Sequence, residues 1–237
     1  MKADATTCVL ETPGAADRAV PNFDRLARVY RWMEWASFGP FLWWCRCAFL
    51  PEMRECRRAL VIGDGDGRFT ARLLETNQEV QVEAVDASAT MLRALVGRAG
   101  RHAERVRTIC GDAREVLQPT GSASYDLIVS HFFLDCLSTE DVGALARGVR
   151  MSATQNAMWV VSEFAVPEGL FGRCVARPVV GGLYWAFGWL TGLRQRRLPE
   201  YAAELRAAGF GLVKRRIWLG GLLVSEVWLL TSHSLKG

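Results

Sequence analysis

The stretch of residues 59–70 constrains the fold of this 237-residue chain more than any other part of it. Residues 59–62 form a short apolar run of the kind that is buried in a parallel sheet, and Gly63, Gly65 and Gly67 follow at once. A helical pattern then begins. A strand that turns on glycines into a helix brings the main chain close to a ligand at the strand's carboxyl end. The stretch therefore predicts a nucleotide-type binding site.

The spacing of these glycines excludes two common kinds of nucleotide site. A dinucleotide fingerprint needs a third glycine after two intervening residues, and in the two possible registers that place is held by Arg68 or Thr70. A phosphate-binding loop with Gly-Lys-Ser or Gly-Lys-Thr is also absent from the sequence. Asp64 and Asp66 would repel a pyrophosphate, but they suit a positively charged ligand without phosphates. S-adenosyl-L-methionine is such a ligand, because it carries a sulfonium and an amino group.

Later strand ends carry residues that suit the same ligand. A second apolar run ends in Asp86, 21 positions after Gly65 (86 minus 65), and its carboxylate can accept hydrogen bonds from both ribose hydroxyls. Asp112 follows a third run and could reach the adenine amino group. The candidate cofactor-binding residues lie in the glycine loop and at the strand ends: Gly63, Asp64, Gly65, Gly67, Asp86, Ala87, Asp112, Ala113 and Ser130.

The motifs together resemble a known enzyme family. They are Gly63-Asp64-Gly65-Asp66-Gly67, Asp86, Gly111-Asp112-Ala113 and Tyr125-Asp126-Leu127-Ile128-Val129. In this order they are similar to class I S-adenosylmethionine-dependent methyltransferases, closest to the ubiquinone and menaquinone C-methyltransferase subgroup. The resemblance covers about half the chain and implies the cofactor S-adenosyl-L-methionine. The family usually has an acid two residues before the first glycine, where this chain has Val61, so Asp64 or Asp66 would have to replace its contact with the methionine part. A tight strand–helix turn without a ligand is the alternative.

The pattern along the remaining chain predicts an α/β fold. Candidate strands cover residues 59–62, 81–85, 107–109, 127–130, 158–164, 211–218 and 222–230, and the clearest helices cover 87–97, 139–151 and 200–208. This alternation predicts a Rossmann-like doubly wound, mostly parallel seven-stranded sheet. Leu219-Gly220-Gly221 predicts a C-terminal antiparallel hairpin. The strand order is implied by the resemblance.

The sequence divides into a tail, a helical cover and one large domain. Residues 1–20 are polar and small, which predicts a mobile N-terminal tail, and residues 21–57 predict an N-terminal helical cover. Part of this cover, residues 22–30, resembles the helix that covers the cofactor in the quinone methyltransferases, and Tyr30 lies in it. Residues 58–232 form the predicted S-adenosylmethionine-binding domain.

An apolar insertion, residues 167–199, interrupts this domain. It has no charged residue from 178 to 193, and it includes Tyr184, Trp185, Phe187 and Trp189. Three interpretations remain open: a buried core helix, a lid over a lipophilic acceptor, or an interfacial helix in which residues 178–197 touch a membrane surface transiently. The related methyltransferases build their acceptor pocket at this place, which favours the lid.

Residues 131–136 follow the fourth predicted main strand and should face the transferable methyl group. Methyl transfer is a direct displacement at carbon, so the enzyme mainly aligns the reactants in a dry site and removes a proton. The candidate catalytic bases are His131 and Asp135, with Glu163 third. The alternatives are a local hydrogen bond for His131 and a helix cap for Asp135.

Composition limits which binding partners and which cellular compartment we expect for this chain. The net charge of +4 is spread over scattered arginines, which argues against a nucleic-acid partner. Seven cysteines and three histidines show no metal-ligand spacing, so we predict no metal. No signal-peptide pattern or membrane-length apolar run is present, which predicts a cytoplasmic protein. The predicted function is methylation of a small lipophilic or aromatic acceptor. The alternative is a non-catalytic protein of this fold that binds cofactor or a partner.

Overall fold

The computed structural model describes residues 6–7, 38–116, 124–167, 169, 172, 178, 181–182 and 199–231. Their helices are α1 (Phe41–Arg46), α2 (Arg68–Thr76), α3 (Ala89–Ala99), α4 (Ala113–Val116), α5 (Thr139–Ser152) and α6 (Tyr201–Ala207). The strands are β1 (Thr6–Thr7), β2 (Arg58–Ile62), β3 (Gln81–Asp86), β4 (Val106–Cys110), β5 (Tyr125–His131), β6 (Ala153–Phe164), β7 (Phe210–Trp218) and β8 (Leu223–Leu230). Short 3₁₀ turns cover Leu50–Met53, Gly100–Arg105, Leu134–Cys136 and Leu219–Gly221.

The strands form one sheet in the order β1-β4-β3-β2-β5-β6-β8-β7. The pairs from β1 to β6 are parallel, whereas β8 runs antiparallel to both β6 and β7. The predicted Rossmann-like α/β fold with a C-terminal antiparallel hairpin is therefore confirmed. Its seven predicted strands are all present, and β1 adds a two-residue edge piece.

The prediction was least accurate at the start of β6. This strand begins at Ala153, whereas the sequence pattern placed its start at residue 158. Thr154, Gln155 and Asn156 carry polar side chains, and Asn156 has a left-handed φ of 62°. Because these residues are not apolar, the hydrophobic pattern did not reveal them as strand.

Parts of three predictions lie outside the described residues. They are most of the tail at residues 1–20, the helical pattern of residues 22–33 with Tyr30, and most of the insertion at residues 167–199 with its aromatic residues and Arg194 to Arg197. Within the tail, Thr6 and Thr7 pair in parallel with Thr108 and Ile109 of β4. These predictions remain predictions.

The sheet separates two apolar cores. Ala59 and Val61 of β2 pack in the core that contains α2 and α3, whereas Leu60 and Ile62 pack in the core that contains α5 and α6. All four side chains are buried. A strand covered on both faces needs a continuous apolar run, which explains why residues 59–62 do not alternate with polar residues.

Serine caps fix where two helices begin. Ser88 Oγ accepts a hydrogen bond from Met91 N at the start of α3, and Ser138 Oγ accepts one from Asp141 N at the start of α5. The alternative in which Asp135 caps α5 is therefore wrong. α3 follows β3, and α5 follows the turn after β5, so the two caps also fix loops at the carboxyl edge of the sheet.

Candidate functional site

The loop between β2 and α2 uses glycines where other residues would be strained or would clash. Gly63 has φ +68° and Gly67 has φ +77°. A Cβ on Gly67 would lie 2.5 Å from Cγ of Leu95 in α3, and one on Gly63 would lie 2.4 Å from Cδ2 of Phe133. A Cβ on Gly65 would meet nothing within 4 Å. The loop is therefore packed on both sides and open at its middle glycine.

The two acids of this loop are engaged by the protein itself. Asp64 Oδ2 accepts hydrogen bonds from Thr70 N at 2.8 Å and Thr70 Oγ1 at 2.7 Å, while burial raises the pKa of its carboxyl. Asp66 Oδ2 lies 2.7 Å from Arg98 Nη2 and 3.5 Å from Arg68 Nε. Asp64 thus ties the loop to the first turn of α2, and two arginines balance the charge of Asp66. Whether either acid also faces a cation stays a prediction.

Asp86 lies at the end of β3, beside the open part of the glycine loop. Its carboxylate accepts hydrogen bonds from Ser88 N at 2.8 Å and from Gly65 N. Burial raises the pKa of this carboxyl from 3.8 to about 6. A carboxylate that is largely removed from water, yet next to open space, is suited to accept hydrogen bonds from a ligand with hydroxyl groups.

Asp112 forms a tight pair with Arg114. Arg114 Nε lies 2.8 Å from Oδ1 and 3.0 Å from Oδ2 of Asp112, and Arg114 N also donates to Oδ1. The same guanidinium reaches Asp141 Oδ1 at 3.1 Å, and these two acids raise the pKa of Arg114. Both oxygens of Asp112 therefore have a partner, so the predicted contact with adenine would have to share them.

The other predicted cofactor residues differ in exposure. Ala87 is exposed directly after Asp86, and Ala113 is buried at the start of α4. Ser130 is fully buried, and its Oγ accepts a hydrogen bond from Trp159 Nε1 at 3.0 Å. The Ser130 hydroxyl is thus part of the core. Its assignment to the cofactor site stays a prediction.

The turn after β5 contains a backbone conformation that is unusual for its residue type. Phe132 has φ 55°, a left-handed value that is strained for an aromatic residue. Its N–H donates to Ser162 O at 2.7 Å. The N–H groups of Phe133 and Leu134 donate to Glu163 Oε1 at 3.2 and 2.8 Å. The end of β6 therefore holds this turn in place, and such strain is often found at functional sites.

His131 is buried at the end of β5, with only 4% of its surface exposed. Its ring lies edge-on to Phe69 at 4.5 Å, and neither Nδ1 nor Nε2 has a hydrogen-bond partner among the residues described. Burial lowers the pKa of this imidazole well below 6.5, and the positive charge of Arg46 lowers it further. The ring is therefore neutral near pH 7.

The other two candidate bases lie at the same edge of the sheet. Asp135 and Glu163 are 7% and 1% exposed. Burial raises the pKa of Asp135 to about 6. Burial, followed by the nearby charge of Asp135, raises the pKa of Glu163 well above 4.5. The tertiary structure therefore brings together two buried carboxyls, one from the turn after β5 and one from the end of β6.

Three aromatic rings pack against each other next to this turn. The sequence alone did not predict these contacts. The Phe164 ring centroid lies 5.3 Å from that of Phe38 and 5.0 Å from that of Phe132. The guanidinium of Arg46, at the end of α1, lies 5.3 Å above the Phe132 ring. No sequence signal links Arg46 or Phe38 to the turn, because only the packing of α1 against the sheet brings them there.

Comparisons with known proteins agree with this arrangement. A protein-family profile described as a methyltransferase domain matches residues 59–154. The chain is 30% identical over 171 residues to the release factor glutamine methyltransferase of Bordetella pertussis, which covers 71% of this chain and 59% of that protein. It is also similar to the structure of the mitomycin 7-O-methyltransferase MmcR, with a TM-score of 0.66 and 16% identity over 88% of this chain and 60% of that one. A putative O-methyltransferase structure from Nostoc punctiforme PCC 73102 has a TM-score of 0.65 and 18% identity over 91% and 64% of the two chains.

The chain has the Rossmann-like fold that class I S-adenosylmethionine-dependent methyltransferases also adopt. The chain spans only about three fifths of the length of the matched proteins named above. The narrower resemblance to the quinone C-methyltransferases is not confirmed by these matches and stays a prediction.

In this methyltransferase fold, S-adenosyl-L-methionine would lie against the glycine loop. Two observations fit it: the open space at Gly65, and the half-buried Asp86 carboxylate beside that space. Gly65 N donates a hydrogen bond to the Asp86 carboxylate. This bond joins the glycine loop to the residue that is predicted to bind the ribose. The residues present therefore fit the cofactor.

Within the described residues, the chain has neither a metal-binding cluster nor a membrane-spanning helix. No group of three or more His, Cys, Asp or Glu residues there could hold a metal ion. None of the helices in this part of the chain is long and apolar enough to span a membrane.

Proposed function

We propose that this chain is an S-adenosylmethionine-dependent methyltransferase that acts on a small lipophilic or aromatic acceptor. The observation that carries the proposal is the meeting of two features at one edge of the sheet. The open glycine loop with Asp86 suits the cofactor, and the turn that contacts this loop through Phe133 carries the buried carboxyl of Asp135.

The cofactor, when bound, supplies an electrophilic methyl group on its sulfonium. The protein's part is to bind, align and take up a proton. Asp86 accepts hydrogen bonds from the ribose, and the main chain around Gly65 contacts the cofactor where no side chain intervenes. The turn at residues 131–136 positions the acceptor, and the burial of His131 and Asp135 keeps water away from these two polar side chains.

Asp135 takes the acceptor's proton in this proposal, in preference to His131. A base with a pKa near the working pH is effective, since it is ionised and still binds a proton well. Burial places the pKa of Asp135 at about 6, whereas burial and Arg46 lower that of His131 well below 6.5. His131 then acts as a neutral hydrogen-bonding group toward the acceptor.

The aromatic cluster supports an apolar acceptor. Phe132 and Phe164 are only partly buried, and they pack beside the cluster of Phe38, Leu42 and Leu222. Apolar pockets with a few polar groups are the usual form of a small-molecule site. The insertion at residues 167–199 would act as a lid over the acceptor, and a transient membrane contact through residues 178–197 belongs to the same proposal. Both rest on the sequence alone.

A cytoplasmic location is also part of the proposal. It is supported by the described cysteines, Cys45, Cys47, Cys56, Cys110 and Cys136, which form no disulfide. Proteins in reducing compartments keep their thiols in this form.

The alternative is a protein of this fold that binds cofactor without turnover. Two observations favour it: Val61 occupies the core at the position where the family usually has an acid, and Arg114 engages both oxygens of Asp112. The two functions give different experimental results.

Calorimetry with S-adenosyl-L-methionine tests cofactor binding first. A transfer assay with methyl-labelled cofactor then tests lipophilic phenols and quinones as acceptors. A glutamine-containing peptide is included because the relative from Bordetella pertussis is named a release factor glutamine methyltransferase. Labelled product from a phenol or quinone supports the proposal. Binding without any labelled product supports the alternative, and no binding at all contradicts both.

A further inference from the structure

Glu163 connects two parts of the site that are far apart in sequence. It lies next to the last residue of β6, and its side chain is 1% exposed. Oε1 accepts hydrogen bonds from the main-chain N–H groups of Phe133 and Leu134, at 3.2 and 2.8 Å. Oε2 has no hydrogen-bond partner within the described part of the chain. The side chain therefore acts as an anchor for the turn at residues 131–136.

This turn needs an anchor because its main chain is strained. Phe132 has φ 55°, and a strained conformation persists only when its surroundings hold it. The hydrogen bond from Phe132 N to Ser162 O holds one side of the strained residue. The two bonds to Glu163 hold the residues that follow it, including Phe133, whose ring fills the space at Gly63. The anchor thus also fixes the contact between the turn and the glycine loop.

Asp135 directly follows the anchored residues, and it interacts with Glu163 as a like charge. Two buried carboxyls that repel each other do not readily ionise together at neutral pH. The other titratable groups that face the pair stay neutral. Burial raises the pKa of the Cys45 thiol to about 12 and raises those of the Cys136 thiol and the Tyr201 phenol. The pair therefore holds one proton, and its location decides which acid is the base.

We propose that Glu163 is a positioning residue, which anchors the turn through Oε1 and keeps the proton of the pair on Oε2, so that Asp135 is the anion. In a protonated carboxyl, the carbonyl oxygen is the natural acceptor for two N–H groups, and the hydroxyl oxygen carries the proton. The role of Asp135 as the base rests on the proposed methyltransferase function. The anchor and the location of the proton do not rest on it.

The variant Glu163→Gln tests the location of the proton. Glutamine keeps a carbonyl oxygen for the two N–H groups and is neutral, as a protonated glutamate is. We expect Asp135 to titrate near pH 6 in both proteins, as followed by carbon NMR of its carboxyl group. If Glu163 were the anion, its neutralisation would lower the midpoint of Asp135 by about one unit or more. That shift would overturn the proposal.

The variant Glu163→Ala tests the anchor, with amide hydrogen exchange of Phe133 and Leu134 as the readout. We expect exchange at these two amides to be at least about tenfold faster in Glu163→Ala and nearly unchanged in Glu163→Gln. Glu226→Gln is the matched control, because Glu226 is also buried but bonds to Arg215, Tyr201 and Trp228 instead of the turn. Exchange that is fast in the wild type, or equally slow in Glu163→Ala, overturns the anchor.

These measurements do not depend on an acceptor. If the protein transfers no methyl group, the proposed function fails, while the titration and the exchange data still decide the role of Glu163. If it does transfer a methyl group, Glu163→Ala should lower kcat and also raise the KM for cofactor, because the anchor fixes the contact of Phe133 with the glycine loop. Glu163→Gln should retain most of the wild-type kcat and KM. If Glu163→Ala does not fold, the titration of Asp135 in Glu163→Gln still decides which acid carries the proton. Fast exchange of the Phe133 and Leu134 amides in the wild type would still overturn the anchor.

Discussion

The ring of Phe133 occupies the space that a side chain on Gly63 would need, with Cδ2 2.4 Å from the position of the missing Cβ. These residues belong to different loops, one after β2 and one after β5. Their contact joins the predicted cofactor loop to the turn that carries Asp135. A substitution at either residue should therefore affect both the glycine loop and the turn that carries Asp135.

Gly63→Ala should weaken S-adenosyl-L-methionine binding at least about tenfold, which corresponds to about 1.4 kcal/mol. The methyl group would strain a main chain with φ +68° and would displace the Phe133 ring. Calorimetry measures the affinity. Gly97→Ala in α3 is the control, since its Cβ meets nothing within 4 Å and alanine favours a helix by about 1 kcal/mol. Equal affinity in the two variants would contradict the prediction.

Asp86→Ala should also weaken cofactor binding at least about tenfold, because it removes charge-assisted hydrogen bonds to the ribose. Asp126→Ala is a suitable control. Its carboxylate accepts hydrogen bonds from Arg57 N at 2.7 Å and Arg58 N at 2.9 Å, at the opposite edge of the sheet. We expect this control to lose stability and keep its cofactor affinity. Unchanged affinity in a folded Asp86→Ala protein would contradict the assignment of Asp86 as the residue that binds the ribose.

Asp86→Asn should stabilise the cofactor-free protein above pH 6. The pKa of this carboxyl is 3.8 ordinarily and about 6 in the folded state, so the folded state binds more protons between these values. Its contribution to stability is therefore full below pH 3.8 and is lost as the pH rises through about 6. Asparagine removes a penalty of up to about 3 kcal/mol at pH 8 and none at low pH. Denaturant unfolding at both pH values checks this difference, and a gain that does not depend on pH would refute its cause.

Asp135→Asn should lower turnover by about a hundredfold or more while cofactor affinity stays unchanged. The wild-type kcat should rise with pH and level off above about 6, because the carboxylate must be ionised to accept a proton. His131→Gln should have a smaller effect on kcat than Asp135→Asn. If only the His131 variant is inactive, the base has been assigned to the wrong residue. Near-normal turnover in both variants would mean that alignment alone drives the reaction.

Trp185→Ala tests the insertion at residues 167–199; Trp185 itself lies outside the described residues. A lid predicts a higher KM for the acceptor or a lower kcat, with melting temperature and cofactor affinity nearly unchanged. A core position predicts a loss of about 3–5 kcal/mol of stability instead. Thermal unfolding of this variant distinguishes the two, and a large drop in melting temperature would exclude the lid.

Much of the fold could be predicted because its signals are local. The buried run at residues 59–62 and the glycines after it produced β2 and its turn at the expected positions. The hairpin signal at Leu219–Gly221 lies between β7 and β8. The start of β6 was missed because its polar residues carry no hydrophobic pattern. Periodicity detects buried apolar faces and gives no signal where a strand is exposed.

The candidate site was predictable only in part. The sequence suggested that Asp64 and Asp66 would face a cationic ligand. In the structure, Asp64 accepts a hydrogen bond from Thr70, and Asp66 pairs with two arginines. Each of these partners is an ordinary polar residue of a helix, and their pairing depends on how α2 and α3 pack. A single sequence shows no pattern for two side chains that pair over a long separation in the chain, as Asp66 and Arg98 do.

The sequence by itself determined the doubly wound fold, the position of the glycine loop and the acids at the strand ends, because hydrophobic period and glycine placement act over a few residues. The tertiary structure alone decided the protonation and the partners of those acids. Glu163 and Phe133 are 30 residues apart, and Arg46 is further still from His131, yet each pair interacts at the carboxyl edge of the sheet. The pKa of a buried group depends on its distance from water and from charges in space, so Asp135 and His131 acquired opposite shifts only when the strands came together.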